Sequence, residues 1–353
     1  LYEIQPTEGT VPKPLCGWGP VSARDILTLH VDFMSTPRRY FFQLLQFFCE
    51  DEVQKERIEE FGSTEGREDL YDYCQKQKRS HFEVLRDFPS ARPPLHYILD
   101  IIPALRPRLF SISSGPSMND NSLSVTATIV QFLSKSRMER HGICTTYLKS
   151  ALARQGSDSM EVAGLRLPVW IKEGTLKLPR RKLDPSNPQP ASPLMPPLIM
   201  VGPGSGVAPL RSFIQERSHF RREAKEARLE VPQSLDMLFF GCRTQAHDFL
   251  YREEMEGWLA SGDLRHLGLA FSRDQPQKVY VQDKIREAAK MVFESLEAGA
   301  VILVCGSSEK MPTDVRQAFV DAISAGGGAS AEEAEAYLKR LETQRRYLLD
   351  TWG

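Results

Sequence analysis

Residues 202–206, Gly-Pro-Gly-Ser-Gly, have the composition of a phosphate cradle. Glycines let a backbone approach a pyrophosphate that side chains would keep away, and Ser205 adds a hydroxyl donor. The helix that follows offers free N–H groups and the positive end of its dipole. Gly204, Ser205 and Gly206 are the candidate contacts; a plain strand–turn–helix connection is the alternative. Further along, Ser272, Arg273, Lys278 and Tyr280 converge within nine residues, with Val279, Val281 and Gln282 among and after them. A dinucleotide with a free ribose 2′-hydroxyl calls for an acidic residue at such a place. Serine, arginine and lysine suit a 2′-phosphate instead, hence NADPH over NADH, with an aromatic ring to stack on adenine. A solvated basic turn is the other reading.

Two more stretches could hold phosphate. Arg108-Leu109-Phe110-Ser111 places an arginine where it could clamp a pyrophosphate with paired N–H bonds. The aromatic two residues later shares its side of a strand and could pack on a flat ring. A routine strand with a surface arginine would look the same. Gly142-Ile143-Cys144-Thr145-Thr146 precedes a helix and could cradle phosphate with N–H groups and hydroxyls; an ordinary N-cap at Thr145 or Thr146 also accounts for it. Together the two cradles suit a pyrophosphate. Cys305 ends an apolar run, where a cysteine is commonly a small core residue. Asp350 and Trp352 close the chain, the latter readable as a plug for a surface groove.

The elements that must carry these residues follow from periodicity. Leu198–Val201 reads as a buried parallel strand, and Leu235–Gly241, Leu267–Ser272 and Ala300–Cys305 continue the series. Helices are expected between them at about 210–228, 248–260, 283–297 and 312–324. This is a doubly wound α/β pattern. Ser330-x-x-Glu333 is a capping box that opens a last helix to about Arg345. Residues 183–197 hold six prolines and read as a linker. Before it, residues 1–30 look like short strands around turns, with 23–32 open to helix or strand. Residues 37–105 read mostly as helices, joined near Gly62–Gly66 and broken by Pro89–Pro94. Strands are expected at Arg108–Ser113, Leu123–Val130 and Pro168–Ile171, and a helix within Gly142–Leu152.

With 353 residues, two or more domains are expected. The formal net charge of −1 provides no field for nucleic acid or a membrane surface. The apolar runs are too short to span a bilayer, and no basic-then-apolar leader opens the chain. Leu1–Pro14 reads as mid-protein sequence. The six cysteines show no metal spacing and fit a reducing, cytoplasmic setting. No metal site is expected.

Taken in order, RLFS, GICT, GPGSGVAP, FFGCR, SRDQPQKVYVQ, VCG and RYLLDTWG resemble the ferredoxin-NADP⁺-reductase-type half of diflavin reductases. The resemblance covers essentially the whole chain, including a helical insertion after the first strands. It implies an antiparallel FAD-binding β-barrel (1–30 and 100–182), the helical insertion (31–99), the linker, and an NADP(H)-binding α/β domain (198–353). It implies FAD contacts at Lys78, Arg108, Leu109, Phe110, Ser111, Gly142, Ile143, Cys144, Thr145 and Trp352. NADP(H) contacts would be the residues already named, with Arg243 near the pyrophosphate and Asp314 at a helix start. Ser111, Cys305, Asp350 and Trp352 would surround the hydride path.

FMN would bind a flavodoxin-like domain preceding Leu1. Most relatives carry tyrosine where Phe110 stands, so a hydroxyl contact to the flavin chain is lost and stacking is kept. Phe110, the helical insertion and the lack of an anchor are most similar to the branch that passes electrons to an anamorsin-type protein in cytosolic iron–sulfur assembly. The cytochrome P450 reductase and methionine synthase reductase branches stay open. So does an interaction module that binds nucleotide without catalysis.

Overall fold

A computed structural model describes residues 22–118, 121–153, 167, 169–178, 195–228, 231 and 233–352, apart from the Leu152 side chain. The strands expected before residue 22, Cys16, Pro168, Gly353 and most of the proline-rich linker lie outside the described residues. The chain divides into two compact units: Leu1–Leu109 with Thr128–Arg166, and Phe110–Ala127 with Leu167–Gly353. The stretch expected as barrel, 100–182, is thus shared between them.

In the first unit, helices Ala23–Leu29, Arg39–Leu45, Glu52–Gly62, Arg67–Leu70, His81–Asp87 and Leu95–Ile101 surround a core of Phe41, Phe42, Leu45, Ile58 and Phe61. Their starts are chemically marked. Ser22, Asp51 and Ser80 each accept an N–H of the first turn, and Ser80 with Glu83 completes a capping box. The regular antiparallel ladder among the described residues is β1 (Gln131–Leu133) against β2 (Glu139–His141). It is solvent-exposed and carries no apolar alternation, so periodicity had no hold on it. The expected strands at 108–113 and 123–130 correspond to irregular backbone, pinned by one bridge, Ile112 to Val125, and by the Ser113 N–H donating to Ser124 O at 2.7 Å. Residues 169–171 likewise form no ladder.

The second unit is built on a parallel sheet of β3 (Leu198–Val201), β4 (Met237–Cys242), β5 (His266–Phe271), β6 (Val301–Ser307) and β7 (Tyr347–Trp352), in the order β5-β4-β3-β6-β7. All pairings are parallel. Side chains alternate across the sheet as the pleat requires. Ile199 and Val201 face a core with Ile285, Val292 and Phe319, while Leu198 and Met200 face another with Leu210, Ile214 and Met255. Helices therefore cover both faces, and the α/β expectation holds. Asp236, buried with Arg217, accepts from its guanidinium at 2.7 and 2.9 Å and from the Leu198 N–H at 2.8 Å. This pins helix 207–226 to the starts of β3 and β4. The strand missed by periodicity is β7, at the sheet edge.

Candidate functional site

Because the five strands are parallel, their C-terminal ends emerge along one edge of the sheet. Chain order reverses between β3 and β6, the place where ligands bind in such sheets. Nearly all the expected NADP(H) residues lie along this edge. Gly204–Gly206 follow β3, Arg243 follows β4, and Ser272–Gln282 follow β5. Cys305 sits in β6 with Asp314 in the helix after it, and Asp350 and Trp352 end β7.

Gly206 is packed onto the neighbouring strand end. A Cβ built there would lie 2.2 Å from the Cys305 carbonyl oxygen. Gly204 has φ +56, and a Cβ there would meet no protein atom within 4 Å. One glycine is thus demanded by the protein itself. The other leaves a left-handed turn with open space where its side chain would stand, a cradle that suits a pyrophosphate.

The turns after β4 and β5 are joined through backbone. The Arg273 N–H donates to Arg243 O at 2.8 Å, and the Ser272 N–H to Cys242 O at 3.0 Å. Arg243, Arg273, Lys278 and Tyr280 are exposed. Two strand spacings separate this basic group from the glycine turn, about 10 Å, a span within reach of one dinucleotide. Tyr280 starts helix Val281–Glu287, its N–H donating to Asp283 Oδ2 at 2.9 Å.

Cys305 and Asp350 are register partners on β6 and β7. Cys305 is fully buried. Burial, and then the Asp350 carboxylate, hold its thiol far above the ordinary cysteine range. It is therefore a neutral S–H group and no thiolate nucleophile. Asp350 Oδ1 accepts from Thr175 Oγ1 at 3.2 Å, a partner that the sequence did not suggest. Trp352 is 41% exposed at the end of β7, and its carbonyl accepts the Ser308 N–H.

In the first unit the GICT stretch opens helix Ile143–Ala153. The buried Thr145 hydroxyl is already engaged, accepting the Val130 N–H at 3.1 Å. A Cβ at Gly142 would lie 2.7 Å from Val130 Cβ, so this glycine serves chain packing. The side chain left for a ligand is Thr146, whose buried Oγ1 has no partner among the described residues. A buried hydroxyl without a partner at a helix start fits a phosphate oxygen. Arg108 reaches Arg106 O and lies 3.9 Å from Asp32. Leu109 and Ile143 are exposed and Cys144 half-buried, while in the second unit Phe110 and Ser111 are half-buried. Lys78 is exposed, at φ +51.

Helix His81–Asp87 braces the approach to this helix start. Arg140, two residues before Gly142, donates to both Glu83 oxygens at 2.9 Å and to Gln77 O. Burial pushes the Glu83 carboxyl up, but bonds from the Ser80 N–H, Arg140 and the Ser80 hydroxyl outweigh it and hold Glu83 below its ordinary value of 4.5. A depressed carboxyl stabilises the fold above its unfolded value and ceases to do so as pH falls through the folded one. Stabilisation from this pair is therefore expected to be level through neutral pH and lost only in acid. Glu83→Gln should lower the melting temperature, by about 1.5–3 kcal/mol of stability, and speed FAD loss on dilution. Thermal melts and flavin fluorescence check both; unchanged FAD retention would detach the insertion from the cradle.

Among the described residues no helix is long and apolar enough to cross a membrane. Residues 4–147 match the FAD binding domain model, and residues 200–317 match the oxidoreductase NAD-binding domain model. The chain is 41% identical over 342 residues to an Arabidopsis thaliana NADPH-dependent diflavin oxidoreductase 1, covering 95% of this chain and 50% of that protein. It is 36% identical to the Bos taurus protein of the same name, covering 100% and 54%. A Drosophila melanogaster NADPH–cytochrome P450 reductase is 35% identical over 95% and 46%. The chain spans about half the length of the curated relatives it matches.

Proposed function

Because this chain belongs to the ferredoxin-NADP⁺-reductase-like oxidoreductases, with an FAD-binding and an NADP(H)-binding domain, we propose that it is the reductase portion of a diflavin oxidoreductase. The observation that carries the reading is the strand-end edge of the parallel sheet. The open Gly204 turn, the basic group after β5 and the Cys305–Asp350 pair all lie along it.

Arg108, Leu109, the 142–145 backbone and Thr146 would hold FAD, with Phe110 and Trp352 against its ring, Ser111 beside it and Lys78 as a further contact. Bound FAD supplies an acceptor that takes a hydride and returns electrons singly. The chain's own groups bind, orient and exclude water. The 204–206 backbone and Ser205 fix the nucleotide pyrophosphate, helped by Arg243. Ser272, Arg273 and Lys278 hold the 2′-phosphate, Tyr280 stacks on adenine beside Val279, Val281 and Gln282, and Asp314 flanks the nucleotide. Cys305 keeps its proton on sulfur and offers a weak donor in a dry setting. Asp350, held by Thr175, supplies a fixed negative charge beside it.

From this portion, electrons go to a flavodoxin-like FMN domain elsewhere in the parent protein. On the strength of Phe110 and the insertion, the final acceptor is an anamorsin-type iron–sulfur protein of cytosolic cluster assembly. Cysteines 49, 74, 144, 242 and 305 are free thiols, which suits the cytosol. The test is steady-state reduction of ferricyanide by the FAD-loaded chain. NADPH should support turnover; a flavin-loaded chain that turns over with neither nicotinamide would refute the reading.

Trp352 provides a second check. A nicotinamide must displace its ring to reach the flavin, and aromatic stacking is worth about 0.5–1.5 kcal/mol beyond area. Contacts to the 2′-phosphate offset that cost for NADPH and not for NADH. Trp352→Ala is expected to raise kcat/KM for NADH relative to NADPH. An unchanged ratio would leave Trp352 as an end plug.

A further inference from the structure

Segment 110–127 is bound into the second unit by a part-buried polar cluster whose centre is Arg211, on helix Val207–Glu226 one turn beyond the glycine turn. Its guanidinium forms a fork with Glu254 (Nε to Oε2 2.9 Å, Nη2 to Oε1 2.8 Å), and Nη1 donates to the Ser113 carbonyl at 2.7 Å. The same guanidinium lies over the Tyr251 ring, 4.3 Å from its centre. The Tyr251 hydroxyl is 2.5 Å from Thr126 Oγ1 and 3.4 Å from Ser113 Oγ. Tyr251 holds φ +56, uncommon for a non-glycine residue.

The next turns of the helix continue the pattern. Gln215 donates to Glu254 Oε2 at 3.1 Å and accepts the Gly115 N–H at 2.9 Å. Glu216 accepts the Ser117 N–H at 2.6 Å and the Ser117 hydroxyl at 2.9 Å. A Cβ at Gly115 would come within 2.7 Å of Glu216 Oε1, so the segment lies tight on the helix.

Polar groups buried this way add little net stability compared with apolar packing, but they define one register. A helix and an irregular segment could slide against each other across an oily contact. They cannot while three helix side chains hold Ser113, Gly115 and Ser117 at fixed points. Ser111 lies two residues from Ser113 in the same segment. The helix begins at the turn that cradles the nucleotide.

We infer that Arg211 is a positioning residue for hydride transfer. Through Ser113 it sets where Ser111 and Phe110 stand relative to the nucleotide turn, without touching flavin or nicotinamide. The inference rests on the reductase reading above. Misplacing reacting groups by about 1 Å can cost on the order of 100-fold in rate, so a loosened latch should act on the chemical step and not on binding.

The experiment compares wild type with Arg211→Ala and with the neutral pair Arg211→Met/Glu254→Gln, which leaves neither charge of the fork unpaired and so protects folding. Three quantities are read: amide hydrogen exchange at Ser113, Gly115 and Ser117 in the flavin-free protein; FAD content; and anaerobic flavin reduction across NADPH concentrations. The expected result is faster exchange, retained FAD, a roughly 10- to 100-fold slower limiting reduction, and an unchanged half-saturating NADPH concentration. An unchanged limiting rate overturns the inference, as does a slowdown that saturating NADPH abolishes. A wild-type flavin that NADPH does not reduce fails the functional reading itself, and this inference with it.

Discussion

Gly206→Ala is expected to weaken NADP⁺ binding by about tenfold or more and to lower the melting temperature of the chain. The added methyl would sit 2.2 Å from the Cys305 carbonyl oxygen. That atom is backbone within β6 and cannot swing aside as a flexible side chain would. Either the glycine turn or the end of β6 must move, at a cost of about 1–3 kcal/mol or above. Both carry the proposed nucleotide contacts, so stability and affinity should fall together. Gly204→Ala supplies the contrast. Its Cβ meets no protein atom, so the fold pays only the left-handed backbone, about 1–2 kcal/mol. Its methyl would point where a phosphate must approach, so affinity should fall out of proportion to stability. Calorimetric titration with NADP⁺ beside thermal melts separates the two. Equal affinity in Gly206→Ala and wild type would mean the nucleotide does not use this turn.

Removing Arg273 and Lys278 together should nearly erase discrimination between NADPH and NADH. A hydrogen bond to a charged group is worth about 1.5–3 kcal/mol. Both side chains are exposed in the free protein, so solvent screening trims each to about 1–2 kcal/mol. The double change should then cost NADPH roughly 30- to 1000-fold in kcat/KM, while NADH, which lacks the 2′-phosphate, changes little. The backbone link between Arg273 and Arg243 survives side-chain removal, so the turn should keep its shape. The loss should shrink at high salt, because exposed charges are screened. Equal losses for both nucleotides would show that the basic turn does not read the 2′-phosphate.

The parallel sheet was legible because its inner strands are buried on both faces and so read as continuous apolar runs: LIMV in β3 and MLFF in β4. The edge strand β7 was not legible. Only Tyr347 of its six residues is buried, and Tyr-Leu-Leu-Asp-Thr-Trp mixes apolar and polar without a period. The β1–β2 pair was hidden for the same reason, being exposed at every residue but Arg140. At Ser113 and Thr126 the backbone expected as strand is tied by Arg211 and Tyr251, polar side chains from far along the chain, which no local period encodes.

The nucleotide edge could be read from glycines and charges close together in sequence. The latch could not. Arg211, Gln215 and Glu216 look like an ordinary polar helix face, and their partners lie about a hundred residues earlier. A trace was visible in the i, i+4 spacing of Arg211 and Gln215, but solvent-exposed helices show the same spacing. Thr145 and Thr146 could not be told apart in the sequence, since a capping hydroxyl and a ligand hydroxyl look alike until hydrogen bonds can be counted.

The central claim is that this chain moves a hydride from NADPH to bound FAD. The most direct measurement mixes the FAD-loaded chain anaerobically with NADPH, or with NADPH carrying deuterium at the nicotinamide C4, and follows the flavin's visible absorbance. The account predicts rapid bleaching by NADPH, slowed several-fold by deuterium because that C–H bond breaks in the observed step, and much slower bleaching by NADH. A flavin that stays oxidised with saturating NADPH bound would contradict it.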